Sequence, residues 1–250
     1  MNGFDGDMAS RHDPEEIARF NALASTWWDP NGPMKPLHRL NPTRIAFIKS
    51  EFATHFGRDE QDMKPFTGLT ALDIGCGAGL VAEPLARMGF AVTGIDLAQD
   101  NISAAIAHAA MGRLTIDYRP MAIEHISPEA HFDAITLLEV VEHVPDVGAM
   151  VAEAALRLKP GGMLIASTLN RTLKAYALAI LGAEYVLRWL PLGTHEWKKF
   201  VTPAELEGHI AAAGLVPLAR KGIVFNPLAN QWRLSSDCDV NYFITARKPG

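Results

Sequence analysis

The stretch Leu72-Asp73-Ile74-Gly75-Cys76-Gly77-Ala78-Gly79 sets an acid just ahead of three alternate glycines, and a second acid, Asp96, ends the next apolar run. Glycines at this spacing let the backbone turn sharply and let a ligand lie directly on exposed N–H groups. A carboxylate at Asp96 can accept both hydroxyls of a ribose, so the pair of features points to an adenosine-type cofactor. A second constellation is Glu139-Val140-Val141-Glu142-His143. On a helical turn, positions i, i+3 and i+4 share one face, which would make Glu139, Glu142 and His143 converge. Two carboxylates and an imidazole suit a divalent cation such as Mg, Mn or Zn. That metal, or His143 or Glu139 as general base, would turn a weakly acidic group into a nucleophile. A polar helix start, with acids at the positive dipole end, is the non-catalytic reading of the same residues.

Both constellations need a scaffold that brings loop ends together, and the hydrophobic pattern supplies one. Leu69–Ile74, Ala91–Asp96, Leu114–Tyr118, Phe132–Leu138 and Met163–Thr168 read as strands, with two more near Leu215–Phe225 and Val240–Arg247. Leu80–Met88, Asp100–Met111 and Val147–Leu158 read as helices between them. Alternation at this spacing implies right-handed βαβ units and a mostly parallel sheet, seven strands in all, covered on both faces. In such sheets ligands sit beyond the carboxyl ends of the strands, where the glycine loop falls. Lys159-Pro160-Gly161-Gly162 reads as a turn that stops a helix, and Thr202-Pro203-Ala204-Glu205 as a capping box. Ahead of the sheet, Asp13-Pro14-Glu15-Glu16 opens a helix, Asn41-Pro42 opens a second running from Arg44 to Phe56, and 57–67 is a polar linker. The expected division is a frayed 1–12, a helical cap at 13–66 and the main domain at 67–250.

Composition narrows the class. With 250 residues, 48% hydrophobic and 20% charged, the chain suits one large α/β domain. A net charge of −5 argues against non-specific nucleic-acid binding. Two cysteines, one of them in the glycine loop, suggest a reducing, cytoplasmic setting rather than a disulfide framework. The first residues lack the apolar stretch of a secretory signal. The glycine loop itself has two parses. Gly77, Gly79 and Ala82 fit the G-x-G-x-x-A dinucleotide pattern, with Asp96 about 20 residues on. Asp73, Gly75, Gly77 and Gly79 fit, in a single register, the E/D-x-G-x-G-x-G loop of S-adenosylmethionine (SAM) methyltransferases. An acid at Asp73 favours the cationic ligand and would repel a pyrophosphate.

Further segments carry a resemblance: Trp27-Trp28-Asp29-Pro30, Gly32, Leu37-His38, Asn41-Pro42-Thr43-Arg44, Phe47-Ile48, Gly94-Ile95-Asp96, Glu139 to Val144, Lys159 to Gly162 and Ser167 to Arg171. With these, from about Phe20 to Ala246, the chain resembles the bacterial ubiquinone-biosynthesis O-methyltransferases, of which the Trp-Trp-Asp…Leu-His…Asn-Pro-x-Arg run is the selective part. The resemblance implies a Rossmann-like class I fold and SAM-dependent methylation of phenolic or catecholic hydroxyls on polyprenylated ubiquinone precursors. It implies Arg44 on the methionine carboxylate, Asp96 on the ribose, and further cofactor contacts at Asp73, Gly75, Cys76, Gly77, Leu97, Met121, Ala122 and Leu138. Leu138 stands where the family commonly has Met, and Met121 where many class I enzymes have an acid. The resemblance also favours a metal, Mg foremost, at Glu139, Glu142 and His143. Trp27, Trp28 and His38 either shape the acceptor side or are plain packing residues. A nicotinamide-dependent oxidoreductase and a non-catalytic SAM-binding subunit are the rivals.

One stretch exceeds what a minimal methyltransferase needs. Between Asn170 and Phe200, Leu173, Ala177, Ile180, Leu181, Glu184 and Leu187 keep helical spacing, flanked by Tyr176, Tyr185 and Trp189. Five basic residues (Arg171, Lys174, Arg188, Lys198, Lys199) face two acids (Glu184, Glu196), a local +3. The insertion at 171–200 reads as an interfacial helix on an anionic membrane surface or as a lid over the substrate pocket. The expected partners are therefore a polyprenyl phenol or quinol, the inner face of the cytoplasmic membrane and other enzymes of ubiquinone synthesis.

Overall fold

The computed structural model describes residues 14–176, 197–226 and 229–250. The frayed terminus expected at 1–12, Asp13, and the apolar stripe from Ala177 to Leu187 with Tyr185 and Trp189 lie outside them.

A mixed sheet of eight strands, not seven, forms the centre, in the order β3-β2-β1-β4-β5-β8-β6-β7. Its strands are β1 (Thr70–Ile74), β2 (Ala91–Asp96), β3 (Asp117–Pro120), β4 (Phe132–Leu138), β5 (Leu158–Leu169), β6 (Val216–Asn226), β7 (Gln231–Ser235) and β8 (Asn241–Arg247). The first five run parallel, and β8 enters antiparallel between β5 and β6. The extra strand, β7, is a short edge strand folded back on β6. The third strand starts later than its apolar run suggests. Leu114 N–H is still bonding Ala109 O at the end of the preceding helix, and Arg113 is left-handed at φ 53°. Lys159 to Gly162, expected as a turn, are drawn into β5 as an irregular stretch. Lys159 Nζ reaches Asp133 at 2.8 Å there, and Gly161 at φ 76° takes the bend.

Seven helices cover the sheet: α1 (Pro14–Leu23), α2 (Lys35–Phe56), α3 (Ala82–Arg87), α4 (Gln99–Met111), α5 (Val147–Arg157), the single turn α6 (Leu173–Ala175) and α7 (Pro203–Ala212), counting among the described residues. Period-2 alternation sorts the strand residues between two cores. Ala71, Ala134, Leu138, Met163, Ile165 and Phe243 pack with α2, α3 and α4. Leu72, Ile74, Ile135, Leu137, Leu164 and Ile244 pack with α5 and α7. The helix expected to open at Asn41-Pro42 instead begins at Lys35 and runs through Pro42. Proline lacks the N–H of an interior helical residue, so tertiary bonds must hold this turn. Asn41 Nδ2 donates to Leu80 O at 2.8 Å, and Thr43 Oγ1 to Trp232 O at 3.1 Å. Gly57, left-handed, caps its far end. The capping box at Thr202 and Glu205 forms as expected.

Candidate active site

The strand order reverses at β1, between β2 and β4, and this switch point is where an open α/β sheet leaves its crevice. Every expected cofactor residue on the sheet falls at that end. Gly75, Cys76 and Gly77 follow β1; Asp96 closes β2 and Leu97 comes next; Met121 and Ala122 follow β3; Leu138 closes β4. All three glycines are left-handed, at φ 66°, 52° and 92° for Gly75, Gly77 and Gly79. A Cβ on Gly75 would lie 2.3 Å from Val140 Cγ2, and one on Gly77 would lie 2.6 Å from Trp27 Cη2. Only glycine fits either position. Asp96 braces the loop from β2: its two carboxylate oxygens accept from Gly77 N (2.9 Å) and Ala98 N (2.8 Å). The Asn101 side chain also bonds this carboxylate, which leaves capacity for a further donor. Cys76 is buried, and burial pushes its thiol up, so it is no nucleophile.

Two charged groups under the loop are buried and incompletely satisfied. Asp73 Oδ1 accepts from Thr136 Oγ1 at 2.6 Å, while Oδ2 has no hydrogen-bond partner. Burial raises its pKa to about 7, against the Thr136 bond and the field of Arg44. Arg44, 5% exposed, stands 3.9 Å from Glu139 Oε1, and its Nε and Nη2 donate to nothing. Burial lowers its pKa, opposed by Glu139, Asp73 and Glu142. A buried guanidinium with carboxylates near it but two nitrogens left without a hydrogen bond keeps donors for a further acceptor. A carboxylate at this point would take both free nitrogens.

The sign of the Asp73 shift gives an expected result. A carboxyl raised to about 7 when folded adds stability that is complete below its ordinary pKa near 4 and is lost as pH rises through about 7. Asp73→Asn should therefore flatten the fall in melting temperature of the ligand-free protein between pH 5 and 8. An unchanged slope in circular-dichroism melts would contradict this. Glu142, raised to about 7 by burial and by Glu139, slopes the same way and limits the flattening to part of the effect.

The Glu-x-x-Glu-His group departs from its expected geometry. Glu139 is left-handed at φ 56°, and only Val141–His143 form a short 3-10 turn, so the three residues do not share a helical face. Glu139 Oε1 accepts from Ser167 Oγ at 2.9 Å, and Glu142 Oε2 from Thr168 Oγ1 at 2.7 Å. Ser167 and Thr168 are consecutive on β5, so the two carboxylates are held by neighbouring hydroxyls of one strand. Among the described residues no group of three His, Cys, Asp or Glu is placed to hold a metal ion, these three included. What falls is the shared helical face from which the triplet was read, and no step below passes through a metal. His143 takes a different position, its ring edge-on to Phe20 of α1 at 5.4 Å between centroids.

Several participants escaped the motif reading: Thr136, Ser167 and Thr168 as hydrogen-bond donors, and Phe20 against His143. Ser167 and Thr168 stand at the carboxyl end of β5, and that position was the available signal. The N-terminal tryptophans prove to serve the glycine loop. Trp27 lies on Gly77, Trp28 Nε1 donates to Ala78 O at 3.0 Å, and His38 Nε2 pairs with Trp27 O at 2.7 Å.

Comparison with known proteins agrees with this geometry. A methyltransferase-domain family model matches residues 36–219. The magnesium protoporphyrin IX methyltransferase of Synechocystis, solved with bound SAH (S-adenosylhomocysteine), superposes with a TM-score of 0.63 at 16% identity, covering 94% of this chain and 99% of that one. A SAM-dependent methyltransferase from Clostridium acetobutylicum gives 0.62 at 14% identity, over 93% of this chain and all of that one. The fold is thus that of a class I methyltransferase. Ubiquinone biosynthesis O-methyltransferase of Paramagnetospirillum magneticum is 53% identical over 95% of this chain and 96% of that one. The enzyme of that name from Methylobacterium nodulans is 51% identical over the same shares. The chain belongs to the ubiquinone biosynthesis O-methyltransferase family.

Proposed function

We propose that the protein transfers a methyl group from SAM to a phenolic or catecholic hydroxyl of a polyprenylated ubiquinone precursor. The observation that carries this reading is Arg44, a buried guanidinium with two unpartnered nitrogens beside the glycine loop, in a chain of this family. When bound, SAM supplies an electrophilic methyl group on a sulfonium. Arg44 takes the amino-acid carboxylate, Asp96 the ribose hydroxyls, and the glycine loop lets the ligand lie on backbone N–H groups. Asp73 gains a reason to ionise once a cation sits above it. Cys76, Leu97, Met121, Ala122 and Leu138 complete the wall of the cofactor site. On the acceptor side, His143 takes the hydroxyl proton as the oxygen–carbon bond forms and the carbon–sulfur bond breaks, leaving SAH. Glu139, held by Ser167 and facing Arg44, is a fixed partner of the guanidinium. Holding oxygen and methyl carbon in line supplies much of the rate gain. Neither a nicotinamide-dependent oxidoreductase nor an idle SAM-binding subunit finds support among the relatives. Incubation with labelled SAM and a short-chain demethylubiquinol, with added Mg²⁺ and separately with EDTA, tests the reading. Label on the quinol oxygen in either condition supports it; none in both overturns it.

The segment 171–200 we assign to contact with an anionic membrane, where a polyprenyl substrate resides. It leaves the sheet from β5, at the active-site end. Its described ends pack together: Tyr176 meets Trp197 edge-on at 6.2 Å, and Trp197 Nε1 donates to Thr172 O. Leu173, 79% exposed, projects beside them. Among the described residues no helix is long and apolar enough to cross a bilayer, so the contact proposed is peripheral. Leu173→Asp and Leu181→Asp should each lower the fraction that floats with anionic liposomes. Unchanged flotation in both would remove the membrane contact.

A further inference from the structure

Glu83, in the first turn of α3, is buried, with 2% of its surface exposed. A buried carboxylate is costly unless donors surround it. Glu83 accepts from Arg87 Nη2 at 3.3 Å and pairs with His108 Nδ1 at 2.6 Å. With the carboxylate as acceptor, the ring is the donor of this bond, through Nδ1. The imidazole of His108, thus fixed on α4, lies flat beneath the indole of Trp28, with centroids 3.4 Å apart and planes 4° from parallel. The indole in turn donates to Ala78 O inside the glycine loop. Glu83 returns to the same loop by its backbone, donating to Gly79 O at 3.0 Å. The contacts close a ring: Ala78, Trp28, His108, Glu83, Gly79. A second tie, Asp100 N–H to Asn21 Oδ1 at 3.0 Å, holds the N-terminal segment to the start of α4.

We propose that His108 is a positioning residue for the cofactor loop, holding Trp28, and with it Trp27, down on residues 77–79. This rests on the SAM reading above. His108 is given no contact with the acceptor, so its loss should weaken the cofactor site and spare the methyl-transfer step. Without the imidazole platform, Trp28 loses its stacking partner, its bond to Ala78 O loosens, and Trp27 no longer covers Gly77. A histidine that merely tied α3 to α4 would change thermal stability alone.

The test is calorimetric titration of SAH together with steady-state kinetics for wild type, His108→Ala, His108→Phe and Trp28→Phe. His108→Ala should raise Kd for SAH and KM for SAM about tenfold, the loss of roughly one good contact. At saturating SAM its kcat should stay within about twofold of wild type, the pattern of a lost binding contribution. His108→Phe, which keeps a flat ring under Trp28, should recover part of the affinity. Adding Trp28→Phe to His108→Ala should cost little more than either alone, because the two act in series. If His108→Ala fails to fold, His108→Phe and Trp28→Phe carry the comparison. Wild-type affinity in these variants, or a fall in kcat at saturating SAM with KM unchanged, overturns the proposal. Failure of wild type to bind SAH would instead strike the SAM reading itself.

Discussion

His143→Asn should lower kcat by about 10²–10⁴, the range a general base ordinarily contributes, while SAH binds nearly as in wild type. The reason is positional. Glu139 is engaged by Ser167 and faces Arg44 at 3.9 Å, and Glu142 is buried against Thr168. His143 lies beside Phe20, with an aromatic edge against which an aryl acceptor can pack. The acceptor's own acidity provides an internal control. A nitrocatechol, already ionised near neutral pH, needs no base, so the deficit should shrink with it. Wild-type kcat on an unactivated catechol would exclude His143 from the proton transfer. An equal deficit on both acceptors would assign it a packing role.

Arg44→Met should act on the other substrate. Hydrogen bonds to charged groups contribute roughly 1.5–3 kcal/mol each, so losing two weakens SAM binding by about 10²–10⁴-fold. The effect should appear as a raised KM for SAM. Arg44→Lys keeps the charge but not the fork, so it should recover only part of the loss. Removing the cation also takes its field away from Asp73, which pushes that carboxyl further up. Melting curves near pH 6 show whether the variant is folded before its kinetics are compared. An unaltered KM in folded Arg44→Met would remove Arg44 from the cofactor site.

What the sequence revealed, and what it concealed, follows from the range of the interactions involved. β2 and β4 match their apolar runs to the residue, and β1 to within one, because buried parallel strands are bounded by the glycines and acids that begin the next turn. The glycine loop and Asp96 were legible for the same reason: their roles depend on local backbone. β7 was not, since Gln231–Ser235 is a five-residue edge strand only partly buried. Nor was the start of α2, where Pro42 signals a helix start locally but is carried inside the helix by bonds to Leu80 and Trp232. The helical-face argument for Glu139, Glu142 and His143 rested on a hidden premise. Spacings of three and four share a face on a helix, and Glu139 is left-handed, ahead of the short turn that holds the other two. Arg44 was named by resemblance alone; its buried, unpartnered nitrogens could emerge only from the packed fold.

A crystal structure of the protein with SAH tests the central claim most directly. The account requires the amino-acid carboxylate within hydrogen-bond distance of the Arg44 guanidinium, the ribose hydroxyls on Asp96, and the sulfur turned toward His143. SAH bound elsewhere, or in this crevice with its carboxylate away from Arg44, would contradict it.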